Sequence, residues 1–353
     1  MRFAYSIVIM SFSLICFAGF AGFPLIKTLP MSETSFATVL RLISLETFKN
    51  LSNLIISTFY HIFRFHGIIL SKGDIIFMKK IYSLVLGLFI LLVGFAQKVS
   101  AENIKFIQIA DSHLSADSEY SQKVLKSAVE DINNQTDVSF VIFTGDNINN
   151  PSETNLRAFV QIANKLKVPY YLALGNHDVY KSKGMSKVRY FEIVREGNIF
   201  YPQKRPNYEF KKNGFVFLIV DGAKEAIPGS AGYYRDDTLK WLDEKLTKNE
   251  KKSVIIFQHF PVVYPDGVDS KLKTHKTYRV EDYKDVLVKH NNVLAIITGH
   301  FHTNSETMEN GVYHISSPSL LAIPQSYKII DIVTTKDFSP IIYSQLREFN
   351  VED

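Results

Sequence analysis

Six short, nearly continuous apolar runs punctuate the chain after residue 103: 104–110 (IKFIQIA), 138–144 (VSFVIFT), 170–174 (YYLAL), 215–220 (FVFLIV), 254–257 (VIIF) and 293–298 (VLAIIT). Runs of this length suit strands buried on both faces. Between them, helical spacing of apolar positions recurs near 118–134, 153–166, 236–249 and 280–290. Strands that alternate with helices predict an α/β architecture. Near the C-terminus, 312–316, 328–334 and 340–344 read as strands without helices between them, which predicts a second, more antiparallel sheet.

Polar residues gather where these runs end. Asp111 and His113 follow the first run, Gly145-Asp146-Asn147 the second and Gly175-Asn176-His177-Asp178 the third. Gln258-His259 follows the fifth, and Gly299-His300-Phe301-His302 the sixth. α/β folds place their sites in crevices at the carboxyl ends of strands, so the five clusters are expected to converge. Asp111 and His113 are two apart, as are His300 and His302, so each pair points to one side of an extended chain. The glycines allow tight, positive-φ turns and a close approach of backbone to a bound ion or phosphate. The candidate metal ligands are Asp111, His113, Asp146, Asn176, His259, His300 and His302, with His177 alongside. Nitrogen and oxygen donors without a thiolate suit Mn, Fe, Zn or Co better than Ca or Mg.

Composition changes the picture only after the chain is divided. The 353 residues carry a formal charge of +5 and one cysteine. Residues 1–101 hold nine Lys/Arg against three acids, together with Cys16, which leaves 31 basic and 32 acidic residues in 102–353. The high overall pI therefore belongs to the leader and gives no reason to expect a nucleic-acid partner. Met78-Lys79-Lys80, the uncharged apolar run 81–96 and Val99-Ser100-Ala101 follow the order of a secretory signal peptide. Translation is expected to begin at Met78, with cleavage after Ala101. On that reading 1–77 is a non-native upstream extension, 78–101 the signal and 102–353 the enzyme domain. Alternatively, the uncharged stretch 4–26 is long enough to span a bilayer and would pair with 81–96 as a hairpin anchor. Both readings place the domain outside the cytoplasm: periplasmic, secreted, or membrane-anchored and facing outward. With no cysteine left after residue 101, its stability cannot rest on a disulfide.

The motifs DSH, GDN, GNHD, QHF and GHFH, in that order, resemble the pattern D-x-H, GD, GNH[DE], lone His and GHxH of the calcineurin-like metallophosphoesterases, over essentially all of 104–345. The resemblance implies a four-layer αββα sandwich of two mixed β-sheets flanked by helices, with a binuclear centre of divalent or trivalent metal ions (Mn, Fe, Zn or Co). It implies that Asp111, His113, Asp146 and His302 hold one metal, and that Asp146, Asn176, His259 and His300 hold the other. It further implies hydrolysis of a phosphomono- or phosphodiester by attack of metal-bound hydroxide. In that scheme His177 stabilises charge on the phosphoryl group or protonates the leaving oxygen, and Asp178 orients the His177 imidazole or a metal ligand. Asn149 stands where the purple acid phosphatases carry a metal-binding tyrosine, which argues against that branch. The stretch 229–246 is similar to cyclic-nucleotide phosphodiesterase-like and acid-phosphatase-like members. The expected partner is a phosphorylated small molecule or lipid. A non-catalytic phosphate-binding member of the fold is the alternative.

Other polar residues have plainer readings. His275, His290 and His314 read as structural or exposed, and Asp221 as a turn cap. The segment 179–212 carries nine basic residues against three acids and reads as a solvated insertion, with a rim for anionic substrate or lipid as its sharper alternative.

Overall fold

The computed structural model describes residues 103–268, 275–334 and 340–351. The expected span at 4–26, the start at Met78, the apolar run 81–96 and the cut after Ala101 lie outside the described residues. In chain order the elements begin β1 (Ile104–Ile109), α1 (Glu119–Asn133), β2 (Val138–Thr144), α2 (Glu153–Ala163), β3 (Tyr170–Ala173), α3 (Lys187–Gly197), β4 (Tyr208–Lys212) and β5 (Phe215–Ile219). They continue α4 (Asp236–Lys248), β6 (Val254–Phe257), α5 (Val280–Leu287), β7 (Val293–Thr298), β8 (Ser305–Glu309), β9 (Val312–Ser316), β10 (Ser326–Val333) and β11 (Ile341–Glu348).

Two mixed sheets result, ordered β11-β10-β1-β2-β3 and β4-β5-β6-β7-β9-β8. β1, β2 and β3 run parallel, as do β5, β6, β7 and β9. The three C-terminal runs do not make a sheet of their own. β9 joins the second sheet beside β7, whereas β10 and β11 return to the first, with β10 antiparallel to β1. Apolar pairing such as Ile104 opposite Ile332 and Phe106 opposite Ile330 draws β10 back across the molecule.

Side-chain period sets the layers. In the second sheet Val216, Leu218, Val254 and Ile256 face outward onto Leu242 and Leu246 of α4 and Tyr283 of α5. The alternate residues Phe217, Ile219, Ile255 and Phe257 face the first sheet. Phe106 stacks on Phe140 with ring centroids 4.9 Å apart and meets Phe217 and Phe257 edge-on at 5.9 and 5.5 Å. This aromatic layer fixes the spacing of two sheets that must bring their strand ends together.

α3 was not apparent from the sequence. Its inward positions include Tyr190, Phe191 and Val194 at helical spacing, but the first of them is Lys187. That ammonium is buried against Asp221 and also donates to the Ala223 carbonyl at 2.7 Å. A paired lysine therefore occupies a core position and conceals the apolar period. Ser186 caps the helix by accepting from the Arg189 N–H.

Phe106→Ala should lower unfolding stability by about 3–5 kcal/mol, the usual cost of emptying a fully packed aromatic site. In denaturant titrations the midpoint should fall while the slope is unchanged. A loss under about 1 kcal/mol would show that the inter-sheet layer does not hold the sandwich.

Candidate metal centre

The polar clusters sit where β1, β2, β3, β6 and β7 end, and their backbone is strained there. Asp111, His113, Asp146, His300 and His302 all have positive φ, between 39° and 76°. Such conformations cost about 1–3 kcal/mol each and persist only where the surroundings over-determine them. The restraints are visible. The N–H of Asp111 donates to the Gly145 carbonyl at 3.2 Å and that of His113 to the Asp146 carbonyl at 2.9 Å. Ser319 Oγ donates to the Asp111 carbonyl at 2.7 Å, and the Leu320 N–H donates to the Ala110 carbonyl at 2.9 Å.

Of the seven expected ligands, the two carboxylates and the four imidazoles come together, with His177 beside them. Asp111 Oδ1 lies 3.3 Å from His302 Nε2, which in turn is 3.3 Å from His113 Nε2. Asp146 Oδ2 lies 3.4 Å from His259 Nε2 and 3.9 Å from His113 Nε2, so one oxygen faces both groups. Its other oxygen, Oδ1, is engaged by the His177 N–H at 2.9 Å. His259 Nε2 and His300 Nδ1 approach to 3.2 Å. Ligand atoms of Asp111, His113 and His302 lie within 4.8 Å of one another, as do those of Asp146, His259 and His300 and those of His113, Asp146 and His177.

Backbone carbonyls set the tautomers expected of neutral rings. Thr144 O lies 2.9 Å from His259 Nδ1, and His275 O lies 3.2 Å from His300 Nε2. Protons on those nitrogens leave two lone pairs facing each other, an arrangement that a cation resolves. The Asn176 side-chain oxygen and His113 Nδ1 are buried without a hydrogen-bond partner. Buried orphans of this kind, beside imidazoles and carboxylates, fit a metal centre.

Without metal, protons carry the compensating charge. Burial pushes His259 down, but the Asp146 charge and hydrogen bond outweigh it and raise the imidazole to about 9. Burial raises Asp146, yet His259, His113 and His177 together hold its carboxyl below the usual range. Burial, reinforced by the His259 charge, lowers His300 to about 3. The site thus has carboxylates ready to receive positive charge and an imidazole already neutral.

The glycines serve two different needs. Gly145 has a φ of 92°, the turn anticipated from the sequence. Gly175 and Gly299 are required by contact: a Cβ would lie 2.1 Å from Asp146 Oδ1 at the first and 2.5 Å from Asp111 Oδ2 at the second.

Asp178 does not orient the His177 imidazole, whose Nδ1 faces the Asn149 carbonyl at 2.7 Å. Asp178 is buried beneath the loops and accepts from the N–H groups of Asn147 (2.9 Å), Ile148 (3.1 Å) and Gly175 (2.8 Å) and from the Asn147 side chain (3.1 Å). It fastens the Asp146 loop to the Asn176 loop. Burial and the Asp146 charge push its carboxyl up to about 8, against the hydrogen bonds from Gly175 and Ile148. Asp221 accepts from the Ala223 N–H at 3.1 Å, as a cap should, and also holds Lys187. Gln258 turns away, accepting from Tyr283 and donating to the Phe260 carbonyl. Arg189 of the basic segment is occupied by Glu153 and Glu196, so it is no free anion rim. Asn149 and His275 contribute backbone carbonyls, which residue identity does not signal, and Ser319 contributes a hydroxyl from a stretch far from the motifs.

A family model described as calcineurin-like phosphoesterase matches residues 104–304. A probable glycerophosphodiester phosphodiesterase from Arcobacter nitrofigilis is 27% identical over 229 residues, covering 60% of this chain and 77% of the relative. A 3',5'-cyclic adenosine monophosphate phosphodiesterase from Haemophilus influenzae is 24% identical over 227 residues, covering 61% and 76%. A dimetal phosphatase from Danio rerio matches with a TM-score of 0.52 at 19% identity, covering 70% of this chain and 99% of that one, which shows a shared fold.

Gly175→Ala tests the close approach. The new methyl must displace Asp146, so metal affinity should fall by about 10–100-fold while circular dichroism stays native. Unchanged affinity in a metal titration would show that Asp146 tolerates the shift.

Proposed function

The chain belongs to the calcineurin-like phosphoesterase family, and from that premise we propose that it hydrolyses a small phosphodiester, outside the cytoplasm, at a two-cation centre. One cation would be held by Asp111, His113, Asp146 and His302, and the other by Asp146, Asn176, His259 and His300. The carrying observation is that Asp146 Oδ2 faces His113 at 3.9 Å and His259 at 3.4 Å, as a shared ligand between two groups must. Two cations there would acidify an attacking water and neutralise phosphoryl charge. Donors of imidazole, carboxylate and amide type favour Mn, Fe, Zn or Co.

His177 has the geometry of a group that meets the substrate. Its side chain is 41% exposed, and Nε2 lies 4.0 Å from Asp146 Oδ2. With Nδ1 turned to the Asn149 carbonyl, Nε2 is directed to the cleft, where it can bind a phosphoryl oxygen or protonate the leaving alkoxide. The diester reading draws support from the named activities of the Arcobacter and Haemophilus relatives. Export draws support from the order of Lys79-Lys80, the apolar run 81–96 and Val99-Ser100-Ala101.

Asp146→Asn should lose most bound metal and nearly all turnover of a chromogenic diester, because the amide supplies less charge to both cations. Full activity with both metals retained would exclude the shared-ligand role. His177→Asn should keep both metals while kcat falls by about 10²–10⁴-fold. The loss should shrink for good leaving groups, which need little protonation. An equal loss across leaving groups would assign His177 to phosphate positioning instead.

A further inference from the structure

Parallel strands give the sandwich two unlike poles. The carboxyl ends of β1, β2, β3, β6 and β7 meet at the metal centre, so the loops that enter these strands lie at the far end. Those loops are strongly basic. Lys165 and Lys167 precede β3, Lys251 and Lys252 precede β6, and Lys289 precedes β7, all of them exposed. The exposed acids of the same loops are Asp137 and Glu250. This imbalance occurs in a domain whose sequence after residue 101 is almost neutral.

Two large apolar side chains share that pole. Ile199 and Phe200 are 81% and 88% exposed, although they are adjacent and follow directly on α3. The turn that presents them is fixed. Asn198 Oδ1 accepts from the Phe200 N–H at 3.1 Å, and the Asn198 carbonyl accepts from the Tyr201 N–H at 2.9 Å. Tyr201 is buried against Tyr170 at the start of β3, with ring centroids 5.6 Å apart, and Asn164 Nδ2 donates to the Gly197 carbonyl at 2.9 Å. The two side chains therefore project from a braced turn beside Lys165.

The polypeptide enters at this pole too. β1 begins at Ile104, and the Asn103 carbonyl accepts from Asn213 in the β4–β5 turn at 2.9 Å. Among the described residues no helix is long and apolar enough to cross a membrane.

We propose that this basic pole, with Ile199 and Phe200 as its wedge, rests on an anionic phospholipid surface and turns the metal centre away from it. Exposed lysines are each attracted by such a surface over about one Debye length, and an apolar pair can enter the headgroup boundary. Nucleic acid would match the lysines but leave Ile199 and Phe200 in water, so lipid is the partner that satisfies both.

The test uses the full chain with a tryptophan reporter at each pole, Phe200→Trp or Ile323→Trp. Ile323 is 84% exposed and follows Leu320, which is bonded to Ala110 beside the metal centre. Vesicles contain phosphatidylcholine with or without phosphatidylglycerol, and carry brominated acyl chains that quench on contact. Fluorescence of the parent, which retains Trp241, is subtracted. Quenching is expected at position 200 with anionic vesicles and not at 323. The variant Lys165→Glu/Lys167→Glu/Lys251→Glu/Lys252→Glu, or the gentler Lys→Gln set if that one misfolds, should raise the lipid needed by at least about tenfold. Hydrolysis of a soluble diester should continue on the vesicle. Quenching at 323 instead of 200 would overturn the proposal, as would quenching at 200 unaffected by charge removal. So would vesicle binding without quenching at 200, or lysine-dependent binding of single-stranded DNA with no lipid contact.

Discussion

One oxygen of Asp146 is committed to the His177 N–H so that the other can face two groups of imidazoles. Much of the site's local structure follows from that division. Gly175 must lack a side chain because the carboxylate occupies the space a Cβ would need. Asp178 must be an acceptor beneath the loops because the N–H groups of Asn147, Ile148 and Gly175 converge there. The positive φ of Asp146 itself is tolerated because the loop is tied on both sides. A carboxylate that was merely present, with free rotation, could not hold one position between two cations.

The same site imposes a demand at longer range. Asp111, His113, Asp146 and Asn176 come from the first sheet, whereas His259, His300 and His302 come from the second. Any change in sheet spacing would therefore separate residues proposed to share one cation. Polar contacts directly below the centre resist this. Gln108 of β1 donates to Thr144 Oγ1 in its own sheet at 3.1 Å and to the Thr298 carbonyl in the other at 2.7 Å. The contact between His259 and the Thr144 carbonyl crosses the same gap at 2.9 Å. Further down, Phe106 of the first sheet meets Phe217 and Phe257 of the second edge-on and sets the distance there.

Legibility in the sequence tracked how local each signal was. The buried parallel strands were plain because both faces are apolar, and the clustered side chains were plain because each follows such a strand. The family resemblance grouped them into two proposed ligand sets, and the geometry brings together Asp111, His113 and His302 of one and Asp146, His259 and His300 of the other. Pairing was not legible: nothing within 326–333 says that it lies beside β1 and not beside β9. α3 was hidden because Lys187 fills an apolar position, and its partner Asp221 lies 34 residues away. The sequence pairs Asp178 with the imidazole or with a metal ligand, because it neighbours His177, and the structure places it under the ligand loops. Its partners are mostly backbone N–H groups, which every residue has, so identity alone could not name them. Asn149 escaped because its own contribution is a backbone carbonyl, and Ser319 because it lies 208 residues from the Asp111 that it holds.

Net charge concealed the remaining feature. Subtracting residues 1–101 removes the case for a generally basic domain, but a sum says nothing about where charges sit. Topology supplies that information: a parallel sheet sends all its chemistry to one end, so the loops at the other are free of catalytic constraint. Strands of six residues such as β1 and β7 separate those ends by about 20 Å. A molecule resting on its basic pole would hold the cleft at least that far from the headgroups. An ester still embedded in that bilayer could not reach Asp146 without the molecule lifting off. Of the two substrate classes expected at the outset, the pole-down orientation therefore favours soluble phosphodiesters, including headgroup fragments already released from lipid, over intact phospholipids of the supporting surface.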